Sequence, residues 1–438
     1  MLRNLSGFVL VAIFLLIDVY VYQAFRFFTR NSSEVTQRTV AWCYWGFTAL
    51  SLGTYIALQL LPADSIGRVT RTMLTIAVFI AYFSKFITVI FLFITDIVRF
   101  FQWLWSLVAG PSASPASNPA TSGQAVPGSK VPAAENAITR SDFLVKTAVA
   151  AGAIPLVAFS YGVISGAHDY RIRRITLPLK NLPRSFDGMT IAQLSDIHSG
   201  SFFNKTAVKG GVEMLMGEKP DLVFFTGDLV NSRADEVNEY IDIFNKVKAP
   251  LGVYSTLGNH DYGAYVKWPS AEAQRQNVLD VVKAHKLMGW NPLMDENRII
   301  TQGGDKLAII GVQNLGFGPA ALKAGNLAKA YQGAEDYPVK LLLSHDPTHW
   351  DAEVRPNFPD IDVTFSGHTH GAQFGVEFGD YKWSPVKYFY RQWAGLYRET
   401  APTDKQQALY VNRGYGYIGY PGRVGILPEI TIFTLKQA

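Results

Sequence analysis

The strongest constraint on the fold is a series of five polar motifs, each placed directly after a short apolar, β-branched run. The runs occupy residues 189–194, 222–226, 253–257, 339–343 and 361–365. The motifs that follow them are Asp196-Ile197-His198, Gly227-Asp228, Gly258-Asn259-His260-Asp261, Ser344-His345-Asp346 and Gly367-His368-Thr369-His370-Gly371. Runs of this length and composition read as buried strands. Polar side chains gathered at strand ends, in loops held by a sheet, describe a site rather than a core.

The residue types suit two adjacent metal ions. Such a pair sits about 3.5–4 Å apart and clamps the attacking and leaving oxygens of a phosphate ester. One carboxylate must bridge the ions, with imidazoles and oxygen donors completing each half. Asp228 is the bridge candidate, because it stands alone after its strand and Gly227 gives the backbone room. Asp196 and His198 are two apart, so in extended backbone both would project to one side and chelate one ion. His368 and His370 share that spacing, and Gly367 and Gly371 allow a tight backbone around them. Asn259 offers a neutral carbonyl oxygen. His260, if it is not a ligand, stands where it can protonate a leaving group. The chemistry that this set supports is metal-assisted hydrolysis of a phosphate ester.

In this order the motifs resemble the calcineurin-like metallophosphoesterases, whose pattern runs D-x-H, GD, GNH[DE], H and GHxH. The resemblance covers about residues 175–435 and is nearest to the membrane-linked branch. It implies a first metal held by Asp196, His198, Asp228 and His370, and a second held by Asp228, Asn259, His345 and His368. It further implies His260 as general acid and a bridging hydroxide as nucleophile. Two positions depart from the pattern. Many relatives carry GDxxD, whose second Asp orients the catalytic His; Asn231 stands there, which leaves Asp261 or a backbone carbonyl for that role. The GHTHGG of the family reads Gly371-Ala372 at its end. Neither change removes a ligand. Any one motif alone is as readily a solvated turn; five in order are not. The implied fold class is α/β, two stacked β-sheets flanked by helices. Helical patterns at 206–218, 234–247 and 270–285 and further strands at 307–312, 408–411 and 430–435 suit it.

The first part of the chain is organised differently and reads as an all-α transmembrane region. Within 1–109, apolar spans at 5–25, 40–61 and 73–94 each approach the ~20 residues needed to cross a bilayer. Residues 96–108, rich in Phe and Trp, read as an interfacial extension. Residues 110–141, dense in Ser, Ala, Pro and Gly, read as a flexible linker. Residues 142–168 are either a fourth transmembrane helix or a signal-like segment, since Arg140-Ser141-Asp142-Phe143-Leu144-Val145-Lys146 resembles a twin-arginine export signal with one arginine missing. Basic residues fall evenly on the two sides of the spans, so their count gives no orientation. The signal-like segment favours a multi-pass protein of the cell membrane whose catalytic domain, 169–438, lies outside the cytoplasm. Asp18 and Lys85 fall inside spans one and three at similar depth and are expected to pair, with snorkelling as the alternative. The net charge of +5 is mild, suiting anionic lipid or phosphate, and no dense Lys/Arg run points to nucleic acid. Cys43 is the sole cysteine, which excludes an intrachain disulfide.

Residues 378–397 carry Tyr381, Trp383, Tyr388, Phe389, Tyr390, Trp393 and Tyr397, interleaved with Lys382, Lys387 and Arg391. This segment reads either as a packed lid or as a lip that touches membrane or binds an acyl chain. Arg413 and Arg423, in the glycine-rich stretch 412–425, are candidates for phosphate contact, whereas His285 and His349 read as structural. The expected function is a membrane-anchored phosphoesterase with two divalent ions (Mn, Fe or Zn, between which such ligands do not choose). It would cleave a phosphodiester or pyrophosphate, a lipid-linked one among the candidates. The alternative is a catalytically silent membrane receptor or scaffold that uses its metal domain for binding. Oligomeric state is not legible.

Overall fold

The computed structural model describes residues 2–62, 65–108, 140–318, 321–379, 381–400 and 405–438. The linker expected at 110–141 lies outside them, except that Arg140 and Ser141 open a helix. The chain divides into two units, Met1–Ser160 and Tyr161–Ala438.

The N-terminal unit is helical: α1 (Leu2–Thr29), α2 (Glu34–Leu60), α3 (Arg68–Val108) and most of α4 (Arg140–Ile164). In hydrocarbon a helix satisfies every backbone group within its own segment, which is why long apolar runs take this form. Among the described residues, three stretches are long and apolar enough to cross a membrane by length and composition: Val9–Thr29, Arg68–Leu107 and Phe143–His168. Residues 96–108 are the expected extension of the third span. They continue α3 without a break to a length of 41 residues. Asp18 and Lys85 meet in a direct, buried ion pair. Tyr44, Thr48 and Tyr82 also donate to the Asp18 carboxylate, at 3.1, 2.8 and 2.9 Å. A carboxylate in such a setting is tolerable only because it is paired and both of its oxygens are hydrogen-bonded.

The C-terminal unit contains two six-stranded sheets. The first has the order β1-β14-β2-β3-β4-β5, from β1 (Arg171–Leu179), β2 (Thr190–Leu194), β3 (Leu222–Thr226), β4 (Val253–Thr256), β5 (Asn291–Pro292) and β14 (Glu429–Gln437). The second has the order β12-β13-β9-β8-β7-β6, from β6 (Glu296–Gln302), β7 (Asp305–Gly311), β8 (Lys340–Leu343), β9 (Val363–Ser366), β12 (Gly395–Thr400) and β13 (Gln406–Val411). A hairpin of β10 (Val376–Phe378) and β11 (Tyr381–Trp383) stands apart.

The apolar runs are continuous rather than alternating because both faces of each central strand are buried. In β3, Leu222 and Phe224 face the inter-sheet core, where they join Leu341, Leu343 and Phe365, while Val223 and Phe225 face outward. That outer face is covered by α5 (Lys205–Gly217), α6 (Ile241–Phe244) and α7 (Ala271–Leu287) through Val212, Leu215, Phe244 and Val281. On the second sheet, Ile310 and Leu342 face outward against Leu327 and Ala330 of α8 (Leu327–Tyr331). The helix expected at 234–247 is instead a 3-10 stretch, Ala234–Tyr240, followed by the single turn α6. Glu236 explains the change: its carboxylate reaches back to the backbone N–H groups of Asn231 and Arg233 and ties this segment to the loop after β3. Strands β2, β3 and β4 are mutually parallel, as are β8 and β9, so all five motifs follow the carboxyl ends of parallel strands. That edge of an α/β sheet is where loops are free to build a site.

Candidate metal centre

Two ligand groups form there: Asp196, His198 and His370 in one, Asp228, His345 and His368 in the other, with the ligand atoms of each group within 4.8 Å of one another. The backbone that presents them is not extended, as the two-residue spacing suggested. Asp196, His198, Asp228, His368 and His370 all take positive φ, between 47° and 74°. Left-handed backbone costs non-glycine residues energy and is held only by its surroundings. Gly227 (φ 96°) has the same role in the turn before Asp228, and a Cβ there would lie 2.5 Å from Gly258 N. A Cβ on Gly367 would lie 2.1 Å from the Asp196 carboxylate, so glycine permits that close approach.

Asp228 lies between the groups. Its Oδ2 is 3.1 Å from His345 Nε2 and 3.5 Å from His198 Nε2, while Oδ1 accepts from His260 N at 2.9 Å. His345 Nδ1 donates to Thr226 O at 2.7 Å, which turns Nε2 toward the site. His368 Nδ1 lies 2.9 Å from Asn259 Oδ1, and its Nε2 lies 2.8 Å from the Tyr390 hydroxyl. Asn259 is in turn held by its Nδ2, which donates to the Tyr265 hydroxyl at 2.7 Å. His370 Nε2 is 3.3 Å from Asp196 Oδ1, and both Asp196 oxygens accept from His368 N.

Asp261 is wholly buried and clamps two of the loops. Its carboxylate accepts from the backbone N–H groups of Asp228, Leu229, Val230 and Gly258 at 2.8–3.2 Å. Asp261 therefore does not orient His260. The carbonyl of Asn231 does, receiving His260 Nδ1–H at 2.8 Å, while the Asn231 side chain is engaged with Ser201. The backbone at this position supplies what a carboxylate supplies in the GDxxD pattern.

The electrostatics of the pocket favour cations. Burial raises the Asp196 carboxyl, but the imidazole of His370 beside it outweighs this and holds it well below the usual carboxylate range. Burial lowers His345, yet the Asp228 carboxylate reverses the effect and lifts it to about 10. His198, by contrast, is driven by burial down to about 3. Burial, with the Asp228 charge behind it, pushes Asp261 up to about 7 against the pull of its backbone N–H donors. The test of whether these residues fit divalent ions is His198: both ring nitrogens are buried and have no hydrogen-bond partner among the described residues, as is true of His370 Nε2. Buried polar atoms are rarely left so. A mixed set of carboxylate, imidazole and amide donors around them suits a first-row divalent cation.

A cleft of about 400 Å³ opens beside His368 and Asn259, lined also by Tyr265, Phe317, Asp346 and Tyr390. Sequence gives Tyr265 and Tyr390 no role in the site, whereas Asp346 enters it from the fourth motif. Tyr390 belonged to the aromatic segment, whereas nothing marks Tyr265 except its place six residues after Asn259. Within that segment Phe378, Tyr381, Tyr388 and Phe389 are exposed, while Trp393 is buried against Gly371 and belongs to the packing. Arg413 and Arg423 are not available to phosphate. Arg413 is buried in ion pairs with Glu429 and Glu377, and Arg423 donates to the carbonyls of Arg413, Gly414, Gly416 and Ile426. Both are fasteners of the 412–425 loop. His285 and His349 are buried on Ser255 and Ser344, away from the ligands.

Residues 189–372 match the calcineurin-like phosphoesterase family, and residues 3–167 match the 4TM phosphoesterase transmembrane domain. A transmembrane protein with metallophosphoesterase domain from Danio rerio is 29% identical over 306 residues, covering 70% of this chain and 66% of that one. Its counterpart from Bos taurus is 28% identical, covering 63% of this chain and 60% of that one, so the chain spans about two thirds or less of both. The uncharacterised metallophosphoesterase YkuE of Bacillus subtilis is 30% identical over 295 residues, covering 66% of this chain and 94% of that protein. Fold, ligand geometry and these likenesses define a membrane protein that carries a metal-dependent phosphoesterase domain. The chain belongs to the calcineurin-like phosphoesterase family.

Proposed function

We propose that this chain hydrolyses a phosphodiester or pyrophosphate bond at a pair of divalent cations, and that its substrate is lipid-linked. The observation that carries the dinuclear reading is the position of Asp228 Oδ2, in reach of an imidazole from each ligand group at 3.5 and 3.1 Å. A carboxylate so placed is shared by two sites. When bound, the cations would supply Lewis acidity, activating a water and neutralising charge on the phosphoryl oxygens. Asp196, His198 and His370 would hold one; Asn259, His345 and His368 would hold the other; Asp228 would serve both. His260 stands outside both groups, stacked on Tyr265 with ring centroids 4.4 Å apart. With Nδ1–H fixed on the Asn231 carbonyl, Nε2 is the ring nitrogen left to pass a proton to the leaving oxygen.

Support for a lipid-linked substrate is the combination of a membrane domain with exposed Phe389 beside half-buried Tyr390 in the wall of the cleft. A multi-pass membrane region with the catalytic domain outside the cytoplasm is supported by the three stretches long and apolar enough to cross and by the signal-like start of α4. The deciding experiment uses the full chain in nanodiscs, loaded with Mn²⁺. Two ions per chain, with turnover of an aryl phosphodiester that Asn259→Ala abolishes, is the expected result. Folded protein that binds ions yet turns over neither diester, pyrophosphate nor monoester would favour a binding role instead.

A further inference from the structure

The hairpin of β10 and β11 is amphipathic. Its register pairs Val376 with Trp383, Glu377 with Lys382 and Phe378 with Tyr381, and paired residues share a face. One face therefore presents Val376, Phe378, Tyr381 and Trp383. The other presents Glu377, bonded to Arg173 and Arg413, and Lys382, bonded to the carbonyl of Ala394. The polar face is thus turned in to the domain, and the aromatic face is left to the surroundings: Phe378 is 84% exposed and Tyr381 63%. A soluble surface seldom leaves such a cluster uncovered.

What covers it follows from where the hairpin is rooted. Gly375 N donates to Val424 O at 2.9 Å, and Val424 N donates to Gln373 O at 2.8 Å. The preceding residue, Arg423, donates from its N to Gly162 O at 3.1 Å, in the last turn of α4. A Cβ at Gly166 would lie 2.0 Å from Arg423 O, so the contact with the end of this segment is as close as backbone allows. Residues 143–168 are long and apolar enough to cross a bilayer. The base of the hairpin is therefore bonded, one residue removed, to the end of a membrane-crossing helix.

We propose that the aromatic face of β10–β11 seats in the headgroup region of the bilayer that α4 crosses, fixing the catalytic domain against the lipid surface. Aromatic side chains favour that depth, and a short amphipathic element need bury its apolar face only about 5–10 Å to be held there. The inference needs α4 to be in a membrane but does not depend on the reaction or its substrate.

The test uses the full chain in phosphatidylcholine/phosphatidylglycerol nanodiscs. In a Cys43→Ser background, Phe378→Cys and, separately, Tyr381→Cys carry an environment-sensitive fluorophore, and Leu279→Cys, exposed on α7, is the control. The expected result at 378 and 381 is blue-shifted emission, loss of iodide quenching relative to 279, and quenching by lipids that bear a nitroxide near the headgroup. Labels as open to iodide as the control, and untouched by the nitroxide lipids, would overturn the proposal. Labels shielded from iodide but untouched by the lipids would overturn it as well, assigning the face to a second copy or another protein. Turnover of a water-soluble diester by the same labelled protein reports separately on the metal centre, so failure of either reading leaves the other standing.

Discussion

Asp261→Ala is the sharpest perturbation of the architecture behind the metal centre. The change leaves four buried backbone N–H groups, of Asp228, Leu229, Val230 and Gly258, without their acceptor. Each orphaned group costs about 1–3 kcal/mol, but the four share one acceptor and the vacated volume can admit a water, so the sum is not additive. A loss of roughly 3–5 kcal/mol is expected, the range found when a buried charged partner is removed. For a domain of this size that corresponds to a fall in melting temperature of about 6–20 °C, at roughly 2–4 °C per kcal/mol. Asp261→Asn should fall between, since its carbonyl can keep Leu229 and Val230 while its amide opposes Asp228 and Gly258. The assay is the thermal transition of the catalytic domain, followed by tryptophan fluorescence in the intact, detergent-solubilised chain. A shift under 2 °C for Asp261→Ala, with metal binding intact, would refute the idea that this carboxylate holds the two loops together.

Other consequences are as definite. His260→Ala should slow hydrolysis by about 10²–10⁴-fold for substrates with a poor leaving group and far less for a nitrophenyl ester, because a good leaving oxygen needs no proton; equal losses on both would argue against the acid role. Tyr390→Phe removes the hydroxyl at His368 Nε2 and should weaken metal affinity or activity by about 10–100-fold, measured by metal titration, while leaving the melting temperature near that of the parent. Asp18→Leu and Lys85→Leu should each destabilise the helical unit by about 3–5 kcal/mol, and the double variant by less than either single. Simple addition of the two losses would show that the pair does not interact.

The strands were legible because their apolar residues are buried on both faces, and Leu222, Val223, Phe224 and Phe225 carry that pattern in plain sight. The residues of the ligand groups were legible because few other chemistries need these side chains in this order. What sequence hid was conformation and long-range partnership. Nothing in Asp196 or His198 announces a left-handed backbone, since neither residue is glycine. Arg413 looked free beside so many glycines because its partner Glu429 arrives from β14 and Glu377 from the hairpin. The partner that orients His260 is not marked in the sequence, because it is a carbonyl, which every residue owns. Tyr265 and Tyr390 belong to the same class: a hydroxyl becomes part of a site only when the fold delivers it there.

Each ligand group draws on both sheets. Asp196 and His198 follow β2 of the first sheet and meet His370, which follows β9 of the second; Asp228 follows β3 and meets His345 and His368. A hydrogen bond from His368 N to the Asp196 carboxylate already crosses this seam, joining residues 172 apart in the chain. A cation held by either group would thus be a cross-link closing a very long loop, and closing such loops removes freedom chiefly from the unfolded chain. Chelation should then act on this sandwich as reduction acts on a disulfide-stapled protein. Each sheet keeps its own ladder of hydrogen bonds, and the rivet between them is drawn.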